Sequence, residues 1–479
     1  MSIIEHKGRM LNTPARASLW YLAATVLSRG VGMLGTPIFT RLLSAEDYGL
    51  FALFTSITGI IQVPLGLELS GTVCYSALEK FRKGRRRLMW AASHITRLGA
   101  GAFLVLFLLF SRPLGNMLAL ADSLLLLAPI YSLCTAIISL YCAWMRYEYR
   151  YIRVCLINIL LALGTPLLSF LFIKMGITGS GRMLGAALAS LIIALPLFII
   201  MQPRGAVPFP SAEGKYLLGS ALPLLPHYIA TSLIIRLGEI ILANIQGGGA
   251  IAKFSVASSV GFSLTIVSAS LLSSLGPWLV RRLNDGGVLR IRQIVNLSTL
   301  IISLAVILLS AVAPELLSLL APSEYSDAVL IVYPLSLSVL PMFLSGVFTT
   351  LSPHKKSGIK GSLPAILALS ASVLSALLLV PLDYRLLGFS VLLAYSVLAL
   401  ALFYLVRRES GLVPLDIWKC LCTLALTVGY VILLALLRGH FIARLAVMLP
   451  LLPIIIHTAS KAFSLMREIG NSSAPPYIE

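Results

Sequence analysis

Arg29, Arg236 and Glu239 stand inside long apolar segments of the sequence, where an ionised group needs a reason to be. A central Arg costs about 2.5–3.5 kcal/mol on membrane-insertion scales, so something must offset it. A guanidinium can donate two parallel hydrogen bonds to a phosphate, which makes Arg29 and Arg236 candidate contacts for an anionic diphosphate. For Arg29 the plainer reading is a structural Arg bonded to a neighbouring helix, and for Arg236 it is an ion pair within its own helix. Glu239 follows Arg236 by three residues, so the two share a helix face and can neutralise each other. If the pair opens when an anion arrives, pairing and binding are both served, and the carboxylate can then carry a coupling proton.

Further polar residues fall in or beside apolar runs. Glu68 is read about five residues from the cytoplasmic end of a second span, either as a coupling-ion site or as a solvated carboxylate at a cavity mouth. Arg97 stands near the start of a third span, as a cavity-lining cation or as the last residue of a basic loop. Gln62 and Asn158 are candidates for sugar hydroxyls, beside the commoner use of such side chains in interhelical hydrogen bonds. His227 is a proton-site candidate. It follows Pro226, with Pro223 one turn earlier, and these prolines predict a bent helix able to gate. Pro37, with Gly30, Gly32 and Gly35, gives the first span the same capacity. Arg41 is expected to snorkel from the outer end of that span, and Asp122 to start a helix.

These residues need long apolar elements to hold them, and the composition supplies little else. The chain has 479 residues, 58% hydrophobic and only 11% charged. A soluble domain of this size needs more charge to cover its surface. Continuous Leu-rich runs of membrane length predict helices rather than barrel strands. About 14 spans are expected, near 18–39, 49–73, 93–111, 122–143, 152–173, 182–201, 217–244, 250–275, 293–313, 327–350, 361–381, 386–406, 415–437 and 441–459. The fold class is therefore all-α, polytopic and membrane-embedded.

The net charge of +19 sits in short clusters between apolar runs. That is topogenic charge, and it excludes a nucleic-acid partner. Loops such as KFRKGRRR, RYEYRYIR and HKKSGIK, with both termini, carry roughly 26 Lys and Arg against about 8 in the alternate loops. Both termini are thus expected in the cytoplasm. No cleavable signal peptide is evident, and the six cysteines, none with metal-ligand spacing, read as reduced thiols.

A Pro-rich segment near 203–216 divides the chain. It separates residues 1–202, with spans one to six, from 217–406, with spans seven to twelve. Residues 407–479 hold two more spans and a tail. A faint echo supports the division: LSRGVGMLGTPIF before DYGLFAL, and IIRLGEIILANI before IAKFSVA. No Walker-A loop, GxSxG, HExxH or Asp-rich metal loop occurs, so no cofactor is expected beyond coupling to a proton or sodium gradient.

The stretch LSRGVGMLGTPIFTRLLSAEDYGLFALFTSI resembles the N-terminal signature of bacterial oligosaccharide flippases of the O-antigen, or Wzx-like, type. These belong to the multidrug/oligosaccharidyl-lipid/polysaccharide (MOP) exporter superfamily. Thr40, Arg41, Ser44, Asp47, Tyr48, Gly49 and Phe51 stand at the positions that carry the resemblance. Glu239 and IAKFSVASSVG match a second point, with Ala and Phe where the family tends to have Gly and Tyr. The resemblance implies two six-helix lobes around a central cavity, two helices outside them, and alternating access. It implies a polyprenyl-diphosphate-linked oligosaccharide as substrate, moved from the cytoplasmic to the outer leaflet of a bacterial inner membrane. A functional monomer is expected, working beside other polysaccharide-assembly proteins. The closest rival is a multidrug exporter of the same superfamily, which favours an acidic cavity for organic cations. A membrane glycosyltransferase or polymerase is a further rival, but it needs a sizeable outer loop, and none is present. A scaffold has no need of Arg in mid-span.

Overall fold

Helices form wherever the sequence offers a run of apolar residues behind a cap. Ser44 is the first example. Its side chain accepts a hydrogen bond from the Asp47 amide at 3.1 Å, and Glu46 and Asp47 place negative charge on the first turn. The helix therefore starts at Ala45, four residues before the expected limit. The structure, a computed structural model, describes Gly30 and residues 35–461, apart from 83, 111–112, 114–121, 149, 204–210, 285–287, 353–360, 412 and 459.

Among the described residues the chain is helical, and twelve segments are long and apolar enough to cross a membrane. Residues 35–42 are helical, while the rest of the expected first span lies outside the described residues. There follow α1 (Ala45–Gly66), α2 (Thr72–Lys80), α3 (Arg85–Leu109), α4 (Asp122–Tyr147), α5 (Tyr151–Lys174) and α6 (Thr178–Met201). Next come α7 (Ala212–Ala221), α8 (Leu225–Gln246), α9 (Gly248–Gly261) and α10 (Thr265–Asn284). The series closes with α11 (Val288–Leu320), α12 (Val329–Leu351), α13 (Leu363–Leu379), α14 (Leu387–Ser410), α15 (Ile417–Leu436) and α16 (Phe441–Met448).

Two compact units are present: Met1–Ser255 with Gly358–Ile366, and Val256–Ser357 with Leu367–Glu479. In the first, α4 packs on α1, α3 and α6, and α5 lies along α6. The core there includes Leu88, Met89, Tyr141, Trp144 and Met145. The other face of α5 carries an exposed stripe of Leu156, Leu160, Leu163, Leu167 and Leu171. Spacings of three and four put these on one side of the helix, as a lipid-facing wall requires. In the second unit, α12 is the most deeply buried helix and packs on α14, α11 and α10. The 33-residue α11 also supports α15. Near the start of α11, Arg292 Nε donates to the Val413 carbonyl at 2.7 Å, and the Asn296 side chain accepts from the Asp416 amide at 3.2 Å. Five cysteines are buried and Cys422 is exposed.

Two expected limits need correction. Glu68 is not on the second span. That helix ends at Gly66, and Leu67 and Glu68 both take left-handed backbone angles (φ 48° and 47°) before α2 resumes at Thr72. Such angles are rare for side chains other than Gly, and two in succession break the helix. The third span starts at Arg85, not at 93, because its basic lead-in residues are good helix formers. Arg97 therefore stands twelve residues into α3, roughly 18 Å along it, and is not the end of a loop.

Candidate functional site

Within the first unit, α8 lies along α1, and their contact carries polar groups at depth. Arg236 Nη1 donates to the Thr55 carbonyl at 2.9 Å. One residue on, the Ser56 hydroxyl donates to the Glu239 carboxylate. Ser56 is eleven residues into α1, roughly 17 Å along the axis, so this pair of bonds sits near mid-span. Gly59 makes room for it: a Cβ there would land on the Arg236 guanidinium. Gly49 does the same nearer the helix start, where a Cβ would strike the Gly248 carbonyl. Arg236 and Glu239 share a face as their spacing predicts. Among the described residues, however, each bonds α1, and they form no ion pair with each other. A guanidinium has five N–H donors, and Arg236 commits one.

Arg97 is held differently. Its guanidinium lies 4.7 Å from the Phe198 ring of α6, and its Nη2 is 3.0 Å from His94 Nδ1. His94 in turn stacks on Trp90, with ring centroids 5.1 Å apart. The Arg97 Nε is buried without a hydrogen-bond partner.

Gln62 and Glu68 come together beside Thr96 and Ser70 around a void of about 10 Å³, which is room for about one water and not for a sugar. Burial there raises the Glu68 carboxyl above its ordinary range. Asn158 lines a larger cavity of about 400 Å³, with Phe39, Phe51, Thr165, Ser169 and Arg182. Pro223 lies in a short 3-10 turn, Leu222–Leu224, and Pro226 opens α8. The expected bend is thus a change of helix type, with the His227 ring edge-on to Tyr228 at 5.7 Å. The Pro37 carbonyl accepts from Arg41 Nη1 at 3.0 Å. Arg29 lies outside the described residues.

Sequence reasoning missed two cations. Arg182, near the start of α6, is boxed by the rings of Phe39, Tyr48 and Phe51, the last two from the TR…S..DYG.F signature itself. The available signal was the small-residue run GITGSGRMLG, which lets α6 approach its neighbours closely. Arg444, only 2% exposed, forms a two-pronged ion pair with Glu315 and also donates to the Ala311 carbonyl. Its place in a closing apolar run was the signal.

Comparison with known proteins agrees with this architecture. A family model described as "Polysaccharide biosynthesis protein" matches residues 15–283. None of the curated proteins compared matches by sequence. Among solved structures, the chain is similar to the lipid II flippase MurJ in an inward closed conformation. Identity is 14%, the TM-score is 0.64, and the match covers 94% of this chain and 99% of that one. It is similar to an inward-facing multidrug resistance MATE family transporter of the MOP superfamily, with 16% identity, a TM-score of 0.61, and coverage of 80% and 94%. It is also similar to a MOP superfamily transporter from Pyrococcus furiosus, with 16% identity, a TM-score of 0.55, and coverage of 84% and 97%. The fold is that of the MOP-superfamily transporters.

Proposed function

The chain belongs to the polysaccharide biosynthesis protein family, and from that premise we propose that it flips a polyprenyl-diphosphate-linked sugar repeat unit by alternating access. The direction is from the cytoplasmic to the outer leaflet of a bacterial inner membrane, with both termini cytoplasmic and the product feeding cell-surface polysaccharide assembly. The lobes are residues 1–202 and 217–406, joined by 203–216, with 407–479 outside them.

Arg236 carries this reading. It is a mid-span cation that commits one donor to a backbone carbonyl and none to a carboxylate among the described residues. A diphosphate cannot cross hydrocarbon bare, because burying its charge is prohibitive. A guanidinium with open donors can take over from its water shell, and exchanging one carbonyl contact leaves no buried anion behind. Arg29 and Arg97 are the further cations for the diphosphate, Asn158 contacts sugar, and Glu239, Glu68 and His227 are the coupling groups. Pro37, Pro223 and Pro226 permit bending.

A second reading, ion-coupled export of organic cations, draws on the half-buried mid-span Glu239 and on the likeness to a multidrug transporter. Proteoliposomes separate the two. The purified protein is reconstituted with a polyprenyl-diphosphate oligosaccharide, and protection of the sugar from an external glycan-modifying enzyme is followed. Fast flipping that falls at least about tenfold in Arg236→Ala supports the flippase, the loss of one charge-assisted contact being of that order. No flipping under a proton or sodium gradient, with gradient-driven efflux of a dye cation, supports the exporter.

A further inference from the structure

Arg182 is a cation in an aromatic box. Its guanidinium carbon lies 4.0 Å from the Phe51 ring and 4.5 Å from those of Phe39 and Tyr48. Cation–π attraction holds it there but leaves its charge in place. Its Nη1 is buried without a hydrogen-bond partner, and among the described residues it forms no ion pair. It stands four residues from the start of α6, where the helix dipole adds further positive potential.

The cavity beside it has the size and chemistry of a small-molecule site. At about 400 Å³ it falls within the range of ligand pockets. Phe39 and Phe51 offer apolar faces, and Asn158 and Thr165 offer an amide and a hydroxyl. The Ser169 hydroxyl lies 2.7 Å from the Thr165 carbonyl and 3.1 Å from that of Arg182, so that corner is fixed by α5 and α6. Gly185 permits this, since a Cβ there would overlap the Ser169 backbone. The Asn158 amide makes no hydrogen bond among the described residues and so keeps its donors and acceptor for a guest.

We propose that this cavity binds an acidic sugar, a pyranose ring bearing a carboxylate, with Arg182 at the carboxylate and Asn158 at ring hydroxyls. A neutral sugar leaves the caged cation uncompensated. A bare inorganic anion leaves the aromatic faces and the amide unused. The proposal rests on the flippase reading, because it names a feature of the sugar carried. Its binding step is nonetheless independent of transport.

The test is binding of free monosaccharides to the purified full chain in detergent, read by saturation-transfer NMR and titration. Glucuronate and galacturonate are compared with glucose, galactose and inorganic phosphate. A hexuronate that binds at about millimolar affinity, at least tenfold tighter than the neutral sugars and phosphate, supports the proposal. Asn158→Ala and Arg182→Gln should each weaken it about tenfold. Arg182→Lys, which keeps charge but loses the planar fork, should fall between. A thermal melt of each variant screens for misfolding, and Asn158→Ala, outside the aromatic box, serves if Arg182→Gln does not fold. Equal binding of neutral sugars or phosphate overturns the proposal, as does hexuronate binding untouched by folded variants. Transport without uronate binding refutes this site and spares the flippase. Uronate binding without transport does the reverse.

Discussion

The Ser56 hydroxyl donates to the Glu239 carboxylate, and the neighbouring Thr55 carbonyl accepts from Arg236 three residues away on the same helix. Together these bonds clasp α8 to α1 at mid-span. Glu239→Gln keeps a hydrogen-bonding group for Ser56 and removes the charge. If Glu239 carries a coupling proton, this variant flattens the pH dependence of transport and leaves the fold intact. Transport rate against pH, measured in proteoliposomes, checks it. An unchanged profile removes Glu239 from coupling.

The clasp also depends on Gly59, whose missing side chain is the space the Arg236 guanidinium fills. Gly59→Ala forces that group off the Thr55 carbonyl. The expected loss of stability is about 1–3 kcal/mol, as for overpacking elsewhere, with slower transport. Gly101→Ala, on α3 with open space at its Cβ, is the control and should change neither.

The last apolar helix is pinned by Arg444 to Glu315 and the Ala311 carbonyl. Glu315→Ala strands a cation that is only 2% exposed, while Glu315 itself is 45% exposed. The expected cost is about 2–3 kcal/mol, below that of a fully buried pair because solvent screens the carboxylate. Thermal unfolding in detergent reads it. Glu315→Gln should recover part of the loss.

At the break after α1, Leu67 is strained by its left-handed backbone. Leu67→Gly should relieve about 1 kcal/mol of that strain, offset in part by the lost side chain. At Glu68, burial raises the carboxyl above its ordinary 4.5. The folded state therefore holds its proton more tightly than the unfolded state does. The charged form penalises stability above the folded pKa, and the penalty fades as pH falls toward 4.5. Glu68→Gln should stabilise the protein at neutral pH and remove that part of its pH dependence. Melting temperatures of both proteins across pH 4–8 test this.

Much of the fold was legible because hydrophobic run length is a strong signal. The limits of α5, α14 and α15 fall within a few residues of expectation. The motif residues Ser44 and Asp47 prove to be a helix cap, which is why their spacing is readable. What failed was what depth alone cannot give. Hydropathy ran through Glu68 because backbone angles leave no mark on it. It placed Arg236 and Glu239 on one face but could not say that both reach across to α1. Arg182 stands at the limit of an expected span and drew no reading. Its box draws on residues 39, 48 and 51, far from it in sequence, and only packing brings them together.

One helix has a consequence for the membrane itself. At 33 residues, α11 is roughly 50 Å long, against a hydrocarbon core of about 30 Å. Upright, it overshoots by several turns; steeply tilted, it still clears both interfaces. Its N-terminal part is tied to the strap before α15 by Arg292 and Asn296. That overhang is a fixed mast whose height the lipid does not set. Bilayers of different thickness then change how far α11 leans and leave the strap at its foot in register.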